Sequence, residues 1–150
     1  MREVQEQLHP LLYEHLQKER YVTISTVDVT GVPHVTAISW LVALSENRLA
    51  FAIDARSRLV QNIAKLPNAV VTVIFDGTTY AISGKVKIEQ NQLDGIPIPL
   101  VKCVLEVTEV RDIMFYGSSM SSEPTFTKTY DAKKAEAIDS LVWNALRQQE

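Results

Sequence analysis

One cysteine, five glycines and three histidines are spread through 150 residues, and each scarcity excludes something. A lone thiol, Cys103, rules out an intrachain disulfide framework and fits a reducing compartment. It lies in the apolar run LVKCVLEV and reads as buried sulfur rather than a nucleophile. The few glycines form no GxGxxG, no Walker A loop and no GxSxG elbow, so dinucleotide-fold, phosphoryl-transfer and elbow-hydrolase chemistry lose their usual support. His9 and His15 are six positions apart, not the spacing of about three or four that shares a helix face, and no cysteine or paired acid joins them. No metal site is expected. His34, after Pro33 at a strand start, reads as a surface imidazole.

Positive charge is also scarce. The net charge of −3 and pI near 5.6 supply no field for nucleic acid, so any anion recognition has to be local. No apolar run reaches the roughly 18 residues that span a bilayer. The first residues, MREVQEQLHPLLYEH, carry acids and no apolar stretch, and read as neither signal nor transit peptide. The expected location is the cytoplasm, without a membrane partner.

What is present is an ordinary globular composition, 46% apolar and 22% charged, in a length that suits a single domain over 1–150. Val4, Leu8, Leu11, Leu12 and Leu16 recur at helical spacing and predict a leading helix over 3–19, kinked at Pro10. The period then shortens. YVTISTVDV, the turn TGVP and HVTAISWLVAL predict a β-hairpin, and LAFAI a third strand. RSRLVQNIAKL predicts a helix with Leu59, Val60, Ile63 and Leu66 on its apolar face, stopped at Pro67. VVTVIF and YAISGKVKIEQ flank a DGTT turn, and VKCVLEVTEVRDIMFY supplies one long strand or two broken ones. The Ser/Thr-rich GSSMSSEPTFTKTYD predicts a mobile surface loop, and a final helix over about 131–148 is capped by Asp131. About six strands between 20 and 116, joined mainly by hairpins, describe a small antiparallel barrel with flanking helices.

One stretch carries a local chemical signal. No acid occurs between Asp54 and Asp76, while Arg56, Arg58 and Lys65 do. The arginines stand at the start of a helix, whose free N–H groups already make that end positive. A phosphate there would engage those N–H groups, the Ser57 hydroxyl and the Arg58 guanidinium, with Asn62 and Lys65 on the same polar face. The alternative is that Ser57 only caps the helix and the arginines are solvated. Both readings stand on these residues.

The ordered signals TGVPHVTAISW, NRLAFAI, RSRLVQNIAKLPNAVVTV and TTYAISGKVKI resemble the FMN-binding split-barrel family that includes pyridoxamine 5′-phosphate oxidase, most clearly over residues 20–90. Gly31 and Pro33 match its turn, Phe51 its aromatic strand, Ser57 and Arg58 its phosphate-binding helix start, Asn62 its helix asparagine, Pro67 its stop and Gly84 a glycine in the following hairpin. The resemblance implies a six-stranded antiparallel split β-barrel and a homodimer with FMN between subunits. Thr36, Ile38, Ser39 and Trp40 would then wall the flavin, with Ile53, Ser57, Arg58 and Asn62 completing the cofactor site.

Three positions depart from the family pattern. Ile53 replaces a common threonine, Leu59 a second basic residue and Val35 a frequent arginine. Each lost charge-assisted contact forfeits about 1.5–3 kcal/mol, which implies weak FMN binding or none unless Arg56 or a partner subunit compensates. No C-terminal Arg-x-His clamp occurs, so oxidation of vitamin B6 itself is disfavoured. The expected function is an FMN-dependent oxidoreductase acting on a small molecule. The alternative is a non-catalytic binder of flavin, haem or another anionic ligand on the same scaffold.

Overall fold

A computed structural model describes residues 4–148. A seven-stranded antiparallel sheet, β1 (Val22–Val27), β2 (Pro33–Ile38), β3 (Leu41–Ser45), β4 (Arg48–Asp54), β5 (Asn68–Phe75), β6 (Thr78–Gln90) and β7 (Leu100–Asp112), is flanked by α1 (Pro10–His15), α2 (Arg58–Lys65) and α3 (Ala132–Arg147). The strand order is β2-β1-β5-β6-β7-β4-β3. The two edge strands are therefore consecutive in sequence, with only Ser39 and Trp40 between them. Three peptide units span at most about 11 Å, so the sheet has to curl until its edges nearly meet.

This corrects the expected six-stranded barrel. The run from His34 to Leu44, expected as one strand, breaks at Ser39–Trp40, where Leu41 N–H donates to Ser39 O at 3.0 Å and Ala52 N–H to Trp40 O at 3.0 Å. The first half pairs with β1 and the second with β4, and no ladder joins β2 to β3. The sheet is curled but unclosed.

The N-terminal segment differs too. Pro10 does not kink a long helix; it begins a short one, where its missing N–H costs nothing, and the His9 ring accepts from Leu12 N–H at 3.2 Å as the cap. Before it, Gln5 bridges to Val110 on β7. Leu8, Leu12 and Leu16 still face one way, and all three are buried in the barrel interior.

Alternation on the central strands builds two cores. Leu49, Phe51 and Ile53 of β4 and Val101, Cys103 and Leu105 of β7 face the barrel interior with Ile24, Val71, Ile82 and Leu59 of α2. Ala50 and Ala52 of β4 and Leu100 and Val104 of β7 face outward, under Val142 and Leu146 of α3. Buried on both faces, β4 reads as a nearly continuous apolar run. The β5–β6 hairpin turns on Asp76 and Gly77, both at positive φ, as a two-residue turn matching the strand twist requires.

Candidate functional site

A groove of about 450 Å³ runs along the seam where the sheet edges approach. β2 and the β2–β3 break contribute Thr36, Ile38, Ser39 and Trp40, β4 contributes Ile53 and Asp54, and Ser57 stands at the end next to α2. Both residues of the strand break, Ser39 and Trp40, line the seam, and the Trp40 ring also packs against the outward cluster under α3. Ile98, Leu100, Lys128 and Tyr130 close the other side.

Ser57 caps α2, its Oγ accepting from Leu59 N–H at 3.1 Å. The hydroxyl proton stays available to a ligand oxygen, so capping and ligand binding are compatible at this residue. Arg56 is otherwise engaged. Its Nε and Nη2 donate to the two Asp54 carboxylate oxygens at 3.0 and 2.8 Å, and its backbone N–H to Oδ1 at 2.8 Å. These hydrogen bonds push the Asp54 carboxyl down to about 2. Arg56 therefore neutralises the Asp54 carboxylate at this end of the groove, rather than reaching a phosphate itself.

Arg58 and Asn62 do share a helix face, and that face borders the β1–β2 hairpin: Asn62 is buried against it, whereas Arg58 stays exposed at its margin. Arg58 Nη1 donates to His34 Nδ1 at 3.0 Å, and Asn62 Nδ2 to Thr26 Oγ1 at 3.0 Å. His34 and Thr26 are directly opposed across the β1–β2 ladder. Residues one helical turn apart thus meet one cross-strand pair. Asn62 is only 6% exposed and locks α2 against β1, so the structure places it outside the groove. Lys65 is exposed at the far end of the helix. Arg58 does not line the groove either; it stands just beyond the Ser57 end, against a histidine on the same face of β2 as Thr36 and Ile38.

The positions that depart from the family pattern are also explained. Leu59 is packed into the barrel core, and Val35 lies on the exposed face of β2, so neither side chain reaches this chain's groove. Ile53 is a groove wall.

The opposite end is built by residues that sequence patterns did not single out. Ser39 Oγ donates to Glu19 Oε2 at 2.6 Å, and Trp40 Nε1 to Asp139 Oδ1 of α3 at 2.8 Å. Lys128 Nζ lies 2.7 Å from that Glu19 oxygen, 3.4 Å from that Asp139 oxygen and 5.9 Å from the Trp40 ring centre. Burial alone would lower the Lys128 ammonium, but its hydrogen bond to Glu19 and the two carboxylate charges outweigh this and hold it above the ordinary lysine value. Lys128 belongs to the Ser/Thr-rich stretch expected as a mobile loop. That stretch is fastened by Lys128, by Met120 N–H to Gly77 O at 2.7 Å and by Glu123 beside His15 at 3.6 Å. The only signal in its sequence was a single cation in a run of small hydroxyl residues.

The donor set fits a planar aromatic ligand bearing an anionic group. Ile38, Trp40, Ala52, Ile53 and Tyr130 offer apolar and aromatic surface, and Thr36 and Ser57 offer hydroxyls, the Ser39 proton being donated to Glu19. Among the described residues no cluster of His, Cys, Asp or Glu is arranged to hold a metal.

The sequence matches the family model for pyridoxamine 5′-phosphate oxidase over residues 8–95, more than half of the chain. The chain belongs to the pyridoxamine 5′-phosphate oxidase family. The region matched includes β1 through β6 and α2, and with them the β2 wall, Ile53 and the Ser57 cap. No curated protein matches the sequence.

Solved structures share the fold of this family member at low identity. Group A Streptococcus HupZ is 12% identical, with 77% of this chain and 100% of that chain covered and a TM-score of 0.60. HutZ, the heme storage protein from Vibrio cholerae, is 14% identical over 67% of this chain and 89% of its own, with a TM-score of 0.53. A pyridoxamine 5′-phosphate oxidase-related, FMN-binding protein from Nostoc punctiforme is 16% identical over 65% and 75%, with a TM-score of 0.51.

Proposed function

We propose that this family member binds FMN in the seam groove and acts as an FMN-dependent oxidoreductase on a small molecule, as a homodimer. The observation that carries this is convergence: Thr36, Ile38, Ser39, Trp40, Ile53 and Ser57, separated by up to 21 positions in sequence, line one groove that ends at a helix N-cap. Ile38, Trp40 and Ile53 would flank the isoalloxazine ring. Ser57, at the start of α2, would donate its hydroxyl proton to the phosphate. Arg58 uses one of its five N–H groups on His34 and offers the others. FMN supplies electron transfer when bound, and the protein supplies position, electrostatics and exclusion of water. Among the described residues no acid and base are paired in the groove lining, which suits chemistry carried by a cofactor.

Purified protein absorbing near about 450 nm, a typical flavin band, supports this reading. Colourless protein that FMN does not protect against thermal unfolding overturns it. Oxidation of NADH or NADPH by the FMN-loaded protein distinguishes an enzyme from a carrier. Arg58→Ala is expected to weaken FMN binding by at least about tenfold, the worth of one charge-assisted hydrogen bond. An unchanged dissociation constant would leave α2's start as a cap alone.

A non-catalytic ligand-binding role is the second reading, favoured by the way Glu19 and Asp139 accept from Ser39 Oγ and Trp40 Nε1 while Lys128 neutralises both carboxylates. Haem is the weaker candidate ligand for it. Among the described residues the groove lining includes no histidine, cysteine or methionine, and Tyr130 is the one lining side chain of a type that ligates haem iron.

A further inference from the structure

We propose that Asp28 and His34 are positioning residues that hold the Arg58 guanidinium in place for the phosphate of a flavin nucleotide. The inference rests on the groove reading above and concerns Arg58, the cation that stands just outside the groove lining beside its Ser57 end.

The three side chains form a continuous chain. Asp28 Oδ2 is 3.0 Å from His34 Nε2, and Arg58 Nη1 is 3.0 Å from His34 Nδ1. Each end dictates the protonation of the middle. Hydrogen bonds from Thr30, His34 and Val32 hold the Asp28 carboxyl well below the usual carboxylate range, so it is ionised and can only accept. His34 Nε2 must therefore carry a proton. Guanidinium can only donate, so Nδ1 must be bare. Both demands are met by one neutral tautomer, and no other satisfies both contacts.

The anchor itself is rigid. Besides His34, Asp28 accepts from Thr30 N–H at 2.9 Å, Thr30 Oγ1 at 2.6 Å and Val32 N–H at 3.1 Å, which ties it into the β1–β2 turn. His34 is locked in the ladder opposite Thr26, and Asn62, one helical turn beyond Arg58, is bonded to that same Thr26. The helix and the strand pair are thus fixed together by Asn62, and His34 gives the exposed guanidinium a set acceptor on that frame. A long side chain already held in one geometry loses less freedom on binding an anion than a solvated one does. With fewer basic residues at its phosphate end than the family pattern has, this chain gains from having its remaining arginine preorganised.

The test compares FMN with riboflavin, which has the same ring system and ribityl chain but no phosphate. His34→Phe keeps an aromatic ring and removes the acceptor. It is expected to weaken FMN binding about tenfold and leave riboflavin binding unchanged, matching Arg58→Ala, with the double variant no worse than either single one. His34→Asn, whose amide oxygen stands where Nδ1 stood, is expected to restore most of the FMN preference. A merely structural histidine would lower both affinities in parallel or neither, and either result overturns the proposal. If the FMN preference depends on Arg58 but survives His34→Phe, the positioning idea alone fails. If Arg58→Ala leaves the preference intact, or the unmodified protein binds neither flavin, the underlying groove reading fails with it.

Discussion

At the scale of single residues, identity follows from what the backbone leaves room for. Gly84 lies at a register shift between β6 and β7, where a Cβ would run into the Glu106 carbonyl oxygen and the Leu105 side chain. The glycine is needed for close approach of the strands rather than for an unusual φ, because its φ is not positive. Gly84→Ala is expected to cost about 1–3 kcal/mol, as overpacking does in a dense interior. A lowered urea midpoint with an unchanged slope would show it. A variant as stable as the parent would mean that the bulge relaxes freely. Asn62 teaches the complementary lesson. Its spacing from Arg58 was legible and correct, but a helical wheel cannot say whether a polar stripe faces solvent or another polar pair. Here it faces Thr26 and His34, and the asparagine became structural.

Among the elements, α3 is held to the outer face of the sheet by an unusual clamp. Lys102 is 1% exposed, on the outward face of β7 among Leu100 and Val104. Its ammonium donates to Ala145 O at 3.0 Å and Gln148 O at 2.7 Å, the unsatisfied carbonyls of the helix's C-terminal end, and lies 3.1 Å from Glu89. A cation there complements the helix dipole. Lys102→Met keeps most of the aliphatic volume but orphans those acceptors, and should destabilise by about 3 kcal/mol. The expected signature is proteolysis near the C-terminus well before global unfolding; loss of stability without early cleavage there would mean that the clamp serves the whole sheet. Lys102 also shows where reading the sequence stops. Period-two alternation and turn residues were enough to locate most strands, and Asp131 before a 3.6-period run was enough to place the start of α3. A lysine inside LVKCVLEV gave no sign of its carbonyl partners, Ala145 and Gln148, which lie 43 and 46 positions away. The break at Ser39–Trp40 was hidden for a related reason: every residue from His34 to Leu44 suits a strand, and only the long-range pairing of its halves to opposite edges splits it. The groove followed the same division. Its β2 wall and helix cap were legible because neighbours in sequence build them, whereas Glu19, Lys128 and Asp139 are brought together only by the folded chain.

For the whole molecule, acid sensitivity and association follow from where charge and apolar surface are left. His15 is 8% exposed and stacked on Phe75 at 4.2 Å. Burial first, and the Arg20 charge second, lower its pKa from 6.5, against the opposing pull of Glu123. The unfolded chain therefore takes up this proton at higher pH than the folded one, so stability falls as pH drops through about 6.5 toward the folded value and levels off below it. Asp54, held down to about 2, acts only in far more acidic solution. His15→Phe should flatten the dependence of the urea midpoint between about pH 7.5 and about pH 5.5, and a variant as pH-sensitive as the parent would assign the effect elsewhere. Association is decided at the opposite edge of polarity. β2 is an edge strand with unpaired backbone groups, and the β1–β2 hairpin exposes Val27, Val29, Val32 and Val35, the last at 66%. An uncovered apolar edge of this kind invites pairing. The proposed homodimer covers it with a second copy, which brings a partner surface beside the open seam groove. A stable contact needs about 1,200–2,000 Å² in total, so a charge placed within it is poorly tolerated. Val35→Glu, on the face of β2 away from this chain's groove, is expected to convert a dimer to a monomer by light scattering and to weaken FMN binding at the same time. A monomeric parent protein, or a dimer indifferent to the substitution, would show that the hairpin is not the interface. Dissociation with FMN affinity unchanged would show that one chain completes the groove alone.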